Sequence, residues 1–204
     1  MIKSNKYVTY EELNEIVNQL EDYRDKVIIM LVFDGFYKDI DMFQTYTHED
    51  LIIDTAHQRY FLQGRKISGT TARVINKSQM EQEIHTFSQF NKGVDLLIPS
   101  NHILRERQGF VAKMLRDDEF NGFAMNRNSV LNRFAKVKKH YGLKFNMSSL
   151  FASGCIHRAK LKIGDIENNR VAFLDYLEKT EEVSRAMGYL YFKYYLEMKE
   201  RMGE

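Results

Sequence analysis

Arg127, Asn128 and Ser129 place a cation, an amide and a hydroxyl side by side, and Asn132, Arg133 and Lys136 follow within three turns of a helix. Such groups suit phosphodiesters: guanidinium and ammonium offset phosphate charge, and free amides at a helix start add donors. Arg and Asn can also read guanine and adenine edges through paired hydrogen bonds. A second basic group, Arg65, Lys66 and Arg73, lies some sixty residues earlier. For nucleophilic chemistry the chain offers Tyr189, Tyr191, Tyr194 and Tyr195, although four tyrosines on an amphipathic helix more often fill a core or an interface.

Other chemistries find little support. The single Cys155 cannot form an internal disulfide, and with His157 two residues away it makes no recognised dyad, so a small buried core residue is expected there. Histidines 48, 57, 85, 102, 140 and 157 lack metal-ligand spacing, so neither metal nor cofactor is expected. The longest apolar run, VIIMLVF from Val27 to Phe33, is too short for a bilayer, and the first residues show no leader pattern. The expectation is a soluble protein of the cytoplasm with no membrane partner.

The basic residues need a frame. Val130, Phe134, Val137 and Tyr141 recur at steps of four, three and four, giving a helix with an apolar back and a cationic front. Asn128 or Ser129 could cap its start, and Gly142 suits a left-handed end. An ordinary amphipathic helix with a solvated basic face would carry the same pattern. Net charge is only +2, so the charge distribution matters more than the total. From Arg127 to Lys144 the chain contains Arg133, Lys136, Lys138 and Lys139 but no Asp or Glu. Charge of one sign on one element is what a phosphate backbone requires.

The 204 residues, 44% of them hydrophobic, suit one domain, and no Pro/Gly/Ser linker or repeat divides them. Thr9-Tyr10-Glu11-Glu12 is a capping box leading into the stripe Leu13, Ile16, Val17 and Leu20. RDKVIIMLVFDG reads as a buried helix ended by Gly35, with a buried strand as the competing reading. Asp41 to Thr47 suggests a further helical turn or two. Leu51 to Asp54, Tyr60 to Gln63 and Ala72 to Ile75 read as a three-stranded antiparallel sheet, with Arg65 to Gly69 as a basic hairpin loop. Ser78 to Glu81 is a second capping box opening a helix to Phe90, Leu96 to Ile98 is extended before Pro99, and Ile103 to Leu115 is a short helix or an insertion. A small-residue helix runs from Met147 to Arg158, a bend falls at Gly164, and helices cover Val171 to Leu177, Glu181 to Met187 and Tyr189 to Met202. The fold class is α+β and mostly helical.

The order of a Ser/Asn-rich helix start, a basic helix, a glycine and a further helix resembles the catalytic domain of the tyrosine recombinases, the phage integrase family. The buried helix ending at Gly35 and His48-Glu49-Asp50-Leu51 before the sheet resemble it too. The likeness covers roughly residues 7 to 200, in element order rather than in identities. In that family a catalytic Arg follows the first glycine by two residues, and a His-x-x-Arg motif opens the later helix. Here those positions read Tyr37 and Ser148-Ser149-Leu150-Phe151, so His and both arginines have become Ser148, Tyr37 and Phe151. The family's sheet also carries a catalytic Lys, for which Lys66 is the counterpart, while the Gly-His motif ahead of the nucleophile is replaced near Leu177-Glu178-Lys179.

The resemblance therefore implies a degenerate, inactive recombinase-type domain kept for binding double-stranded DNA, most concretely as a phage transcriptional repressor. Its contacts would come from Arg127, Asn128, Ser129, Asn132, Arg133 and Lys136, with Arg65, Lys66 and Arg73 as a second patch. Family members also carry an N-terminal core-binding domain, so the chain reads as a fragment or a reduced member. They exchange C-terminal helices between protomers, which implies self-association through the aromatic last helix. An active recombinase with a rearranged site and a protein-protein interaction module are the alternative readings.

Overall fold

The computed structural model describes residues 2, 4–40, 50–77 and 127–203. In chain order the elements are α1 (Tyr10–Gln19), α2 (Tyr23–Leu31) continuing into a wider π turn (Val32–Phe36), β1 (Leu51–Asp54), β2 (Arg59–Leu62) and β3 (Arg65–Lys66). Residues 69–77 form helix α3. Then come α4 (Arg127–Tyr141), α5 (Met147–Ile163), α6 (Arg170–Thr180) and α7 (Arg185–Met202). Among the described residues the protein is mostly helical with a small three-stranded antiparallel sheet, the α+β class that the sequence predicts. The elements predicted within residues 41–49 and 78–126, the second capping box among them, lie outside the described residues.

The chain divides into two compact units. The first comprises Met1–Gln19, Val32–Tyr37 and Lys138–Glu204, and the second Leu20–Leu31 and Lys38–Val137. In the first, α1 starts where predicted: Thr9 Oγ1 accepts from the Glu12 amide at 3.2 Å and Glu12 accepts from the Thr9 amide at 2.9 Å. Its stripe of Leu13, Ile16 and Val17 is buried. Helix α5 is the centre of this unit. It begins at a capping box in which Asn146 accepts from the Ser149 amide at 2.8 Å and Ser149 Oγ from the Asn146 amide at 2.9 Å. Every residue from Ser149 to Ile156 is buried, so side chains line α5 all round, as expected for a helix enclosed by others.

Contact between α5 and the π turn is made backbone to backbone. A Cβ on Gly154 would lie 1.8 Å from the Phe33 carbonyl oxygen, a distance only glycine can meet. Gly35, at φ 103°, lets the chain leave the π turn. Helix α6 ends at Thr180 with Glu181 as its C-terminal cap, and Ser184 caps α7 by accepting from the Met187 amide. The helix expected over Glu181 to Met187 is therefore absent: Glu181 to Ser184 is a link, and α7 is one helix from Arg185. Glu182 sits at φ 51°, a left-handed conformation that no helix accommodates.

In the second unit α2 is buried from Val27 to Leu31, resolving the helix-or-strand alternative in favour of the helix. Asp25, Ile28 and Ile29 of α2 and Arg133, Phe134 and Val137 of α4 line one shallow crease. The sheet departs from expectation at its third strand. Gln63 and Gly64, at φ 47° and 73°, make a two-residue turn of the type that matches strand twist. The chain therefore reverses early, and Arg65–Lys66 is itself β3, pairing Phe61 with Lys66 and Leu62 with Arg65. Residues 72–75 lie in α3 because Ser68 Oγ accepts from the Thr71 amide at 3.1 Å, a cap that starts a helix. Buried Thr71, Ala72 and Ile75 then share one face of it.

Candidate functional site

The three positions that the resemblance equates with catalytic groups meet in the first unit. Tyr37 leaves the π turn, and Ser148 and Phe151 stand one turn apart at the start of α5. Tyr37 Oη lies 3.2 Å from Ser148 Oγ, and the Tyr37 and Phe151 rings lie 5.7 Å apart, tilted by 40°. Ser148 is exposed while Phe151 is buried. Two neutral hydroxyls can hydrogen-bond a phosphate oxygen, but this trio contains no group able to offset charge building up during phosphoryl transfer. Losing one such preorganised donor costs about 2.7–4 kcal/mol of barrier.

Arg158, two turns beyond Phe151, is engaged elsewhere and brings no cation to this trio. It meets Glu181 in a two-pronged pair, Nε to Oε1 and Nη2 to Oε2 each at 2.7 Å, and donates through Nη1 to the Phe33 carbonyl. Tyr176 Oη donates to Glu181 at 3.2 Å, and the Cys155 thiol lies 3.5 Å from the same carboxylate. Burial works against the charged Arg158, and Glu181 more than offsets it. Burial likewise opposes the Glu181 carboxylate, yet Arg158 holds it below its ordinary range. Cys155 is buried, as predicted. His157 is stacked on Tyr10 at 4.6 Å, and its burial lowers its affinity for a proton.

The tyrosines of α7 divide between core and surface. Tyr191 and Tyr195 are buried, and Tyr194 is stacked 3.8 Å from Tyr7. Burial first, and then Cys155, Tyr194, Glu181 and Tyr37, push the Tyr191 hydroxyl above its ordinary range. Burial and the Tyr7 hydrogen bond push Tyr194 up to about 12. Deprotonation is disfavoured at both. Tyr189 is exposed beneath Arg170, whose guanidinium lies 5.0 Å from its ring. Met187, Leu190, Leu196 and Met202 are exposed on the same helix.

The DNA-binding candidates all lie in the second unit, on three elements. Arg127, Asn128, Asn132 and Lys136 are exposed on α4, while Val130, Phe134 and Val137 are buried. Arg127 is already helical, so Asn128 and Ser129 lie within the helix and neither is its cap. Gly142, at φ 70°, ends it as predicted, with the Leu143 amide bonded to the Lys138 carbonyl at 2.9 Å.

Arg133 is only partly exposed and is drawn against α2. Its guanidinium meets Asp22 at 2.7 Å and Asp25 at 2.5 Å, with 27% of the side chain exposed. Burial disfavours its charge, and the two carboxylates raise its proton affinity above the ordinary value. Arg133 thus fastens α4 to α2. On the sheet, Arg65 pairs with Asp39, and Lys66 beside it is exposed. Arg73 lies on α3 and donates to Thr70 Oγ1 at 3.1 Å.

Sequence reasoning missed Glu181 and the pair Asp22 and Asp25. Neither Asp22 nor Asp25 stands out in the sequence, because both lie in the charged stretch Glu21 to Lys26 ahead of the apolar run that starts at Val27. Among the described residues no group of three or more His, Cys, Asp or Glu could hold a metal ion, and no helix is long and apolar enough to cross a membrane. No protein-family model matches the chain, and no curated protein matches it in sequence.

Proposed function

We propose that this chain is a catalytically inactive, recombinase-like protein that binds double-stranded DNA and acts as a transcriptional repressor of a temperate phage in the cytoplasm of its bacterial host. More particularly, it is similar to the integrase-like master repressor of SPbeta-type phages. The observation that carries this reading is the meeting of Tyr37 with Ser148 and Phe151 across more than a hundred residues of sequence. These are the positions at which a tyrosine recombinase gathers its charged groups, and here they hold two hydroxyls and a phenyl ring. The exposed Arg127 and Lys136 on α4, with Lys66 and Arg73, supply cations for a duplex without supplying catalysis.

The rival is a recombinase using a rearranged site. Against it stand the burial of Tyr191 and Tyr195 and the engagement of Arg158 with Glu181. One experiment separates the two: incubate the chain with a nicked duplex, look for a covalent protein-DNA adduct, and follow affinity against salt. No adduct is expected, together with a log-log salt slope of about −3.6 for four phosphate contacts. An adduct mapped to a tyrosine would restore the enzyme, and a slope near zero would remove DNA as the partner. The exposed apolar residues of α7 favour a second copy of the chain as an additional partner, which sedimentation would detect.

A further inference from the structure

Helix α4 is fixed in rotation. Val130, Phe134 and Val137 are buried on one side, and the pairs from Arg133 to Asp22 and Asp25 clamp its flank to α2. Asn128, Asn132 and Ala135 follow at steps of four and three, so they share the opposite face, and all three are exposed, with Leu131 exposed beside them. With Arg133 drawn aside, the midline from Asn128 to Ala135 carries no charge; Lys139 continues the same row one turn further on, and Arg127 and Lys136 lie near the two ends of the uncharged part. A surface selected only for attracting phosphate gains most from cations along its midline. An amide gains only where a partner's donors and acceptors match it, and is otherwise a desolvation cost.

We propose, resting on the DNA-binding reading above, that this midline reads base edges: Asn128 and Asn132 recognise adenines in the major groove, and Ala135 with Leu131 contacts thymine methyl groups. An Asn amide matches the N6 and N7 pattern of adenine, and small apolar side chains suit the thymine methyl. The spacing agrees. Four residues of helix advance about 6 Å, close to two base-pair steps of about 3.4 Å each, so the two amides address pairs two steps apart. The charge pattern names the partner: the stretch from Arg127 to Lys136 has no acidic residue, which favours a polyanion over a protein surface.

The test selects bound sequences from random duplex DNA with the whole chain, then repeats the selection with Asn128→Ala, Asn132→Ala and Lys136→Ala. Circular dichroism checks that each variant retains the fold, as exposed positions should. Each Asn variant is expected to lose preference at one A·T position and to bind the selected site on the order of 5- to 100-fold more weakly, with affinity for a scrambled duplex unchanged within about twofold. Lys136→Ala should weaken both duplexes alike and reduce the salt slope by about 0.9. Salt-dependent binding with an unaltered selected sequence in both Asn variants would overturn the base-reading assignment while leaving DNA binding intact. Absence of duplex binding at low salt, or tighter binding to a hairpin RNA of the same sequence, would overturn both.

Discussion

Arg158 and Glu181 form an ion pair whose carboxylate side chain is only 5% exposed, and such a pair is most sensitive to the loss of one member. Glu181→Gln leaves a guanidinium without its counter-charge beside the Phe33 carbonyl, and should cost about 3–5 kcal/mol in urea denaturation. Replacing both residues with apolar ones of similar size should cost much less. Because Arg158 holds the carboxyl of Glu181 below its ordinary value of 4.5, the associated stability is complete above that value and is lost as pH falls through the lower, folded value. Urea midpoints of the wild type should therefore drop at acid pH, and that component of the drop should be missing in Glu181→Gln. Sequence alone exposed part of this picture. Tyr37, Ser148 and Phe151 come together in the sequence reading only through the resemblance to tyrosine recombinases, which equates their positions with catalytic ones. The engagement of Arg133 was not legible, since Asp25 lies 108 residues away and only tertiary packing joins them.

Among the elements, α5 and the π turn are the most tightly joined, and Gly154 is the reason. Gly154→Ala puts a methyl into the Phe33 carbonyl, which already accepts from Arg158. Backbone must shift on one side or the other, so a loss of about 3 kcal/mol is expected, at the upper end for overpacking. A fall in thermal midpoint of only a degree or two would contradict that contact. The helices with capping signals or clean apolar stripes, α1, α4 and α5, were readable from local chemistry. The third strand was misplaced because Thr70 to Ile75 is rich in β-branched residues, and that propensity concealed a spacing of three between Ala72 and Ile75. The cap at Ser68 and the early turn at Gln63-Gly64 decided the outcome.

For the molecule as a whole, α7 closes the first unit. Arg201 reaches the Tyr7 carbonyl at 3.2 Å and Glu12 at 2.8 Å, Lys199 pairs with Glu167, and Tyr194 is stacked on Tyr7. Deleting residues 189–204 should therefore abolish the cooperative unfolding transition of that unit, rather than merely separate copies of the chain. A shortened protein that still melts cooperatively would refute this role for α7. The first unit is also assembled from three stretches of chain, Met1–Gln19, Val32–Tyr37 and Lys138–Glu204. During translation α1 emerges from the ribosome long before Arg201, which bonds Glu12 of that helix, has been made. Such wide separation of contacting segments slows folding, because the entropy of closing the intervening loop is lost before the contacts that reward it can form.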